Sequence, residues 1–295
     1  MRVVHDVIRD GLFAINSTLE QMAEARQQVT TGRRINAISD DPAAVVQAVG
    51  EHATMATLDA YTSTANAAAA RLAAADTVLT GFINKISGAI TTAAAARGSM
   101  STPESRAAYA QQIRAYRESL VGDINAKFGN NYLFSGSEVT TAAYAQSGGA
   151  WTYQGDAAPV QLEVENGRLV SVSLDGRALA QGSDTTDLFT ALDDLATAID
   201  NNDQPAIQAG MDALDRAFDR AVTVQGRVGI DERGTDEATA RLSALRLAAE
   251  GRRSNLEDAN LAEAIAKMNQ ADVSYRAALG AVSSAERLSL LDYLK

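Results

Sequence analysis

Towards the C-terminal end, apolar residues fall at Leu261, Ile265, Met268, Tyr275, Leu279 and Val282. They alternate steps of three and four, apart from one interruption at Asp272. That spacing predicts a helix with a narrow apolar stripe, the seam of a coiled coil rather than a broad core-facing side. The run closes on Leu288, Leu290, Leu291, Tyr293 and Leu294, with Lys295 beyond. Chain ends fray in water, so an end this apolar predicts a partner that covers it. The first thirty residues carry the same rhythm at Ile8, Leu12, Ile15, Leu19, Met22 and Val29, broken once at Arg26. A helix from Arg2 to Thr31 would be about 45 Å long, and Gly32 supplies a C-terminal stop. Neither seam makes a self-sufficient core. Each end therefore predicts the other as its partner.

Between these ends the pattern changes character twice. After Gly32, the run Arg33-Arg34-Ile35-Asn36-Ala37-Ile38-Ser39 reads as a linker. Asp40 or Asp41 can cap the next helix, and Pro42 sits where its missing N–H costs nothing. The adjacent carboxylates also raise metal or acid–base chemistry, but capping explains both and no further ligand lies nearby. A very long helix follows to about Arg97. Met55, Leu58, Ala65, Ala69, Leu72, Leu79, Ile83, Ile86 and Ile90 hold a heptad register, with Thr62 and Asp76 as polar gaps. Gly98–Thr102 predicts a turn, and Thr102 caps a helix that starts at Pro103 and runs to about Lys127, with Ile113, Tyr116, Leu120 and Ile124 inward.

At Gly129 the composition shifts to Gly, Ser, Thr, Asn and Asp. Gln161–Glu165 and Leu169–Leu174 flank Asn166-Gly167, a hairpin signal, and Trp151-Thr152-Tyr153 reads as another strand. Tyr132, Tyr144, Trp151 and Tyr153 could form a ligand platform, but a small insert needs its few aromatics for its own packing. Helical character returns at Asp187, with Leu188, Leu192, Leu195 and Ile199 on one face. From Pro205 to about Leu256 a second long helix carries Ile207, Met211, Leu214, Phe218, Ala221 and Val228. It continues less regularly through Leu242, Leu245 and Ala249, and Gly226, Gly229, Gly234 and Gly251 soften it.

The expected fold is mainly α: a long coiled-coil and rod bundle formed by the N- and C-terminal segments, with a small β-rich inserted domain. The expected division is 1–36 plus 257–295 as a terminal coiled coil, 37–130 plus 187–256 as a helical rod, and 131–186 as an outer β-rich insert.

Composition narrows the function classes. Hydrophobic residues make up 46% of the 295, but aromatics only 5%, so alanine carries much of the apolar content. Four prolines leave room for long helices. A net charge of -11 argues against nucleic acid or an anionic membrane as partner. There is no cysteine, and His5 and His52 alone are too few for a typical imidazole metal site. No cofactor is implied, and no phosphate-binding loop or serine elbow appears. The opening residues lack the apolar stretch and cleavage site of a secretory signal peptide, and no stretch is long and apolar enough to span a bilayer.

Particular residues resemble a known family. Arg34-Ile35-Asn36 followed by Asp40-Asp41-Pro42-Ala43-Ala44 is similar to the linker motif of bacterial flagellins and their relatives. Glu257-Asp258-Ala259-Asn260-Leu261-Ala262-Glu263-Ala264 resembles the family's second signature, and the Leu288–Leu294 ending fits as well. Asn260 stands where aspartate is usual, which leaves a capping role intact. Asp40-Asp41-Pro42, Tyr132-Leu133-Phe134-Ser135-Gly136 and Tyr153-Gln154-Gly155-Asp156 are more like the junction-forming relatives than the filament-forming members.

The resemblance implies a structural protein of the flagellum, not an enzyme. It implies export without a cleaved signal peptide through the flagellar type III apparatus, and an extracellular place. The implied partners are identical subunits in a ring, the first hook-associated protein, flagellin and a flagellar export chaperone. Ile8, Leu12, Ile15, Leu19, Met22, Ile265, Met268, Tyr275, Leu279, Val282, Leu290 and Leu291 are the expected assembly residues. Two other readings stay open: a short flagellin that forms the filament itself, and a coiled-coil signalling protein, which would need neither a β insert nor an apolar C-terminal run.

Overall fold

A computed structural model describes the backbone of residues 2–98, 102–148 and 150–293, and the side chains within 9–284 of those segments. The described residues form α1 (Arg2–Thr31), α2 (Pro42–Ala96), α3 (Pro103–Ile124), β1 (Lys127–Phe128), β2 (Asn131–Tyr132), β3 (Tyr144–Ser147) and β4 (Ala150–Tyr153). There follow β5 (Gln161–Glu165), β6 (Arg168–Ser171), α4 (Gly176–Ala180), α5 (Leu188–Asp200), α6 (Gln204–Glu257) and α7 (Leu261–Tyr293). Mainly helical architecture with a strand-containing insert is what the pattern predicts. The chain divides into two compact units, Met1–Leu58 with Leu245–Lys295, and Asp59–Ala244.

In the Asp59–Ala244 unit, α2 buries Ala65, Ala68, Leu72, Ala75, Leu79, Phe82, Ile86, Ala89, Ala93 and Ala96. Their steps of three and four never break. The gap that the large side chains show at Asp76 is therefore filled by Ala75, one residue earlier. The buried row of α6 is just as regular: Ile207, Leu214, Ala221, Val228, Thr235 and Leu242 recur every seven residues, the period that keeps one side of a helix against its neighbours. Irregularity expected beyond Val228 is absent, because Thr235 and Ala238 occupy inward places where large residues were sought. Thr235 is fully buried, and its hydroxyl donates to the Asp231 carbonyl at 2.8 Å. The glycines do not break α6. Each costs about 1 kcal/mol relative to alanine in a helix, which continuous burial on the inward side outweighs.

Polar ties fix the helices in register. Lys85 Nζ on α2 donates to Asp123 on α3 at 2.6 Å. Gln225 on α6 donates to Asp76 on α2 at 2.9 Å, so the supposed gap residue makes a cross-helix contact. α3 packs against α5, where Arg114 meets Asp200 at 2.7 Å and Arg117 meets Asp193.

The insert is three separate antiparallel pairs rather than one sheet: β1–β2, β3–β4 and β5–β6. The Asn166-Gly167 turn joins β5 to β6, with Gly167 alone taking a positive φ of 74°. The helix expected to reach Lys127 stops at Ile124. Asn125 draws the chain away by exchanging two side-chain bonds with the Tyr144 backbone, at 2.8 and 2.9 Å. That leaves Lys127–Phe128 free to pair with Asn131–Tyr132. The chain also turns through the short α4, capped by Asp175, which no apolar periodicity marks. The turn expected at Gly98–Thr102 lies mostly outside the described residues.

Trp151 and Tyr144 both pack on Phe189, with ring centroids 5.9 and 5.0 Å away, and Tyr144 also meets Tyr153 at 5.4 Å. The expected packing use of the aromatics is thus realised for three of the four, the rings seating β3–β4 on α5. Tyr132 lies apart, under the Lys127 ammonium. Two stretches noted for their residue types also meet. Tyr153 Oη is shared between the carbonyls of Phe134 and Asp156, and the Asp156 carboxylate accepts from Ser137 N at 2.7 Å. A Cβ at Gly155 would lie 2.6 Å from the Ser135 carbonyl oxygen. Gly155→Ala is expected to lower stability by about 1–3 kcal/mol through this overpacking. Urea unfolding followed by the fluorescence of Trp151, the single tryptophan, measures it.

Candidate functional site

The Met1–Leu58/Leu245–Lys295 unit brings the two ends of the described chain together. α1 and α7 run antiparallel: Gly11 opposes Val282, and Ala25 faces the Ala266–Ala271 stretch. A Cβ at Gly11 would lie 2.5 Å from Val282 Cγ2, so the absent side chain sets how closely the helices approach.

Burial shows where the seam runs. On α1 the covered row is Gly11, Ile15, Thr18, Met22, Ala25 and Val29, and on α7 it is Ala264, Met268, Ala271, Tyr275, Ala278 and Val282. Both rows alternate threes and fours without a break. The interruptions at Arg26 and Asp272 are corrected: Ala25 and Ala271, at 3% and 4% exposure, hold those places. Small residues repeat every seventh position, at Gly11, Thr18 and Ala25 and at Ala264, Ala271 and Ala278.

Of the expected assembly residues, Ile15, Met22, Met268, Tyr275 and Val282 belong to this seam and are half-buried. Leu12, Leu19, Ile265 and Leu279 do not. They stand one place past the small residues and are 53%, 36%, 44% and 43% exposed. Ile8, Leu290 and Leu291 lie outside the described side chains. Sequence reasoning joined two rows into one stripe because it followed large apolar residues. The strict seven-residue spacing of small residues, at Gly11, Thr18 and Ala25 and at Ala264, Ala271 and Ala278, is the signal that separates them. Beside the seam, an open groove of about 620 Å³ lies among Gln21, Glu24, Ala25, Gln28, Ala266, Lys267, Gln270, Ala271 and Ser274.

Where the chain passes from α1 to α2, and from α6 to α7, the two crossings are clasped. Arg33 and Asp258 form an antiparallel bridge. Arg34 N donates to the Glu257 carbonyl at 2.7 Å, and Ala259 N donates to that of Gly32 at 2.9 Å. The Arg34 guanidinium spans from the Leu256 carbonyl to Asp41 Oδ2, at 2.8 and 3.1 Å. Gly32 takes φ of 69°, ending α1 as its residue type predicts. Asp41 caps α2 through Ala44 N at 3.0 Å, which leaves Pro42 at the first helical place.

Asp40 has a different task. Its Oδ2 accepts from Asn36 N at 2.9 Å and Ala37 N at 2.8 Å, fixing the linker turn. Ile35 is half-buried there, and Ile38 is exposed. At the α6 end, burial opposes ionisation of Glu257, but donors from His52 at 2.9 Å and Arg253 at 3.2 Å outweigh it, so its pKa is lowered. Asn260 keeps the capping role, accepting from Glu263 N at 3.3 Å.

Among the described residues no three His, Cys, Asp or Glu are placed to hold a metal ion, and no helix is long and apolar enough to cross a membrane. Helices from both chain ends are thus clasped at their inner ends and carry an exposed apolar row. The bacterial flagellin N-terminal helical region matches residues 12–139 and the flagellin C-terminal helical region matches residues 211–294. The chain belongs to the bacterial flagellin family, whose members are structural proteins of the flagellum. It is 24% identical to flagellar hook-associated protein 3 of Escherichia coli K12 over 261 residues, 78% of this chain and 82% of that one. Two solved structures share its fold. FlgL of Xanthomonas campestris has a TM-score of 0.63 at 17% identity, over 69% of this chain and 99% of that one. The flagellar junction protein FlgL of Legionella pneumophila has 0.62 at 13%, over 72% and 100%.

The two backbone donors, Asn36 N–H first, hold the Asp40 carboxyl below its ordinary 3.8. A depressed carboxylate supports its turn above that ordinary value and loses the support as pH falls through the lowered one. Amide exchange at Asn36 and Ala37 is therefore expected to be slow at neutral pH and to lose its protection on acidification below 3.8. In Asp40→Ala these amides are expected to exchange without protection at every pH, at the intrinsic rate for that pH.

Proposed function

We propose that this chain joins the hook to the flagellin filament; its relatives are named a flagellar hook-associated protein and a flagellar junction protein. The observation that carries the reading is the antiparallel pair of terminal helices with Leu12, Leu19, Ile265 and Leu279 left uncovered. Half of the seam is small residues and its large ones are only half-buried, so it buries modest apolar area per residue, whereas ordering backbone costs about 1–2 kcal/mol per residue. The pair therefore gains its decisive stability when the flanking leucines and isoleucine are covered by neighbouring subunits.

In this reading the subunit travels unfolded through the flagellar export apparatus, its C-terminal segment shielded by an export chaperone. It then closes into a ring of identical subunits between the first hook-associated protein and flagellin. The functional division is 1–36 with 257–295 as assembly domain, 37–130 with 187–256 as rod, and 131–186 as outer insert. Membership of the family and the clasp of Arg33 and Arg34 on Glu257 and Asp258 suit a short flagellin equally, so the deciding experiment separates the two.

In a strain lacking this gene, hooks without filaments and flagellin shed into the medium are the expected phenotype. Purified protein that polymerises unaided into long filaments would instead make it a flagellin. Leu12→Ser with Leu19→Ser is expected to leave the secreted amount unchanged and abolish filament attachment, as seen by electron microscopy of the cells. Attachment at native level would sink the role given to the uncovered row.

A further inference from the structure

We propose that Asn166, at the tip of the β5–β6 hairpin, is a site of spontaneous deamidation, and that the Glu163 carboxylate holds its rate down. Of the asparagines in the chain, Asn166 alone is followed by glycine. Both residues are exposed, and the Asn166 side-chain amide bonds no described protein group. With no side chain on Gly167, its backbone nitrogen is open to the neighbouring amide.

The chemistry needs only water. Base removes the Gly167 N–H proton, and the nitrogen attacks the side-chain carbonyl carbon of Asn166. The new N–C bond closes a five-membered imide, while the amide nitrogen takes up a proton and leaves as ammonia. Water then opens the imide at either carbonyl. One opening gives aspartate. The other gives isoaspartate, in which the main chain runs through the former side chain and is longer by one methylene.

One contact bears directly on the attacking atom. Gly167 N donates to Glu163 Oε1 at 2.9 Å. The nucleophile is the deprotonated nitrogen, so this bond must first be given up, and a negative charge so near opposes the amide anion. The residues flanking the turn, Glu165 and Arg168, face each other in register. They also fasten the hairpin to α6. Glu165 Oε1 meets Arg241 Nε at 2.7 Å, and Arg168 Nη2 meets Glu237 Oε2 at 3.7 Å. Arg168 lies over Gly234, where a Cβ would stand 2.7 Å from Nη2. Isoaspartate at 166 therefore adds a backbone atom between two anchored residues and loosens the hairpin, whereas aspartate adds only charge.

Full-length protein is aged in mildly alkaline buffer, folded and in guanidinium chloride, and electron-transfer mass spectrometry follows each asparagine. Asn166 is expected to convert faster than every other asparagine of the folded chain, yet more slowly than it does unfolded. Glu163→Ala is expected to speed the folded reaction about threefold or more, as loss of a hydrogen bond to a charged acceptor does. Glu163→Gln, which keeps an acceptor without the charge, is expected to fall between. Amide exchange at Val172, whose N–H donates to the Val160 carbonyl at 2.8 Å, shows whether the hairpin is closed in each variant. Isoaspartate chains are expected to lose that protection, and Asn166→Asp to keep it. The proposal is overturned if another asparagine converts first in the folded chain, if folded and unfolded chains react alike, or if neither Glu163 variant reacts faster with its hairpin closed. Native protection in the isoaspartate chains would overturn the loosening.

Discussion

Close approach between long helices, made possible by small residues at every seventh place, is the constraint on which the rest of this molecule depends. An alanine contributes little hydrophobic area, but it lets a neighbouring backbone come near, so that larger residues one step away interdigitate. The alanines between Ala65 and Ala96 in α2 and the Gly11/Ala25/Ala271 seam between α1 and α7 are two cases of one device. It accounts for a composition rich in alanine and poor in aromatics. Tyr144, Trp151 and Phe189 meet elsewhere, at the seating of β3–β4 on α5.

Much of this was legible in the residues alone. Helix limits at Thr31 and Pro42 followed from Gly32 and from Asp41 followed by proline, because local backbone chemistry decides them. The hairpin at Asn166-Gly167 was legible for the same reason. What was misread has one cause: apolar stripes were traced through large side chains. At Arg26, Asp76 and Asp272 the stripe seemed broken, while the adjacent Ala25, Ala75 and Ala271 carried it on. The early end of α3 could not be read, since Asn125 bonds to Tyr144, nineteen residues away. The clasp was half legible. The residue types at 34–42 and 257–264 stood out, but the pairing of Arg33 with Asp258 is a tertiary fact.

The clasp also shows why those residue types belong together. Arg34 reaches both a helix-end carbonyl and the Asp41 cap, so one side chain serves the end of α6 and the beginning of α2. Asp40 closes the linker turn through backbone donors, a use in which a neighbouring aspartate is not redundant. Such exposed charge pairs contribute little stability singly. Their value here is geometric, because four backbone and side-chain bonds converge where two chain crossings meet, and α1 and α7 leave that point already in register.

A helix pair of this design has two sides with unequal demands. The inner seam alternates small residues with Ile15, Met22, Val29, Met268, Tyr275 and Val282 and specifies register, since Gly11 admits Val282 closely. The outer row, Leu12, Leu19, Ile265 and Leu279, contains the larger apolar area and finds no cover within the described chain. Large residues thus stand on both rows, but those of the inner seam are half-buried while Leu12, Leu19, Ile265 and Leu279 are exposed. In the proposed assembly, covering the outer row would contribute about 1.5–3 kcal/mol for each large side chain fully covered, so that register and association would rest on adjacent rows of the same two helices.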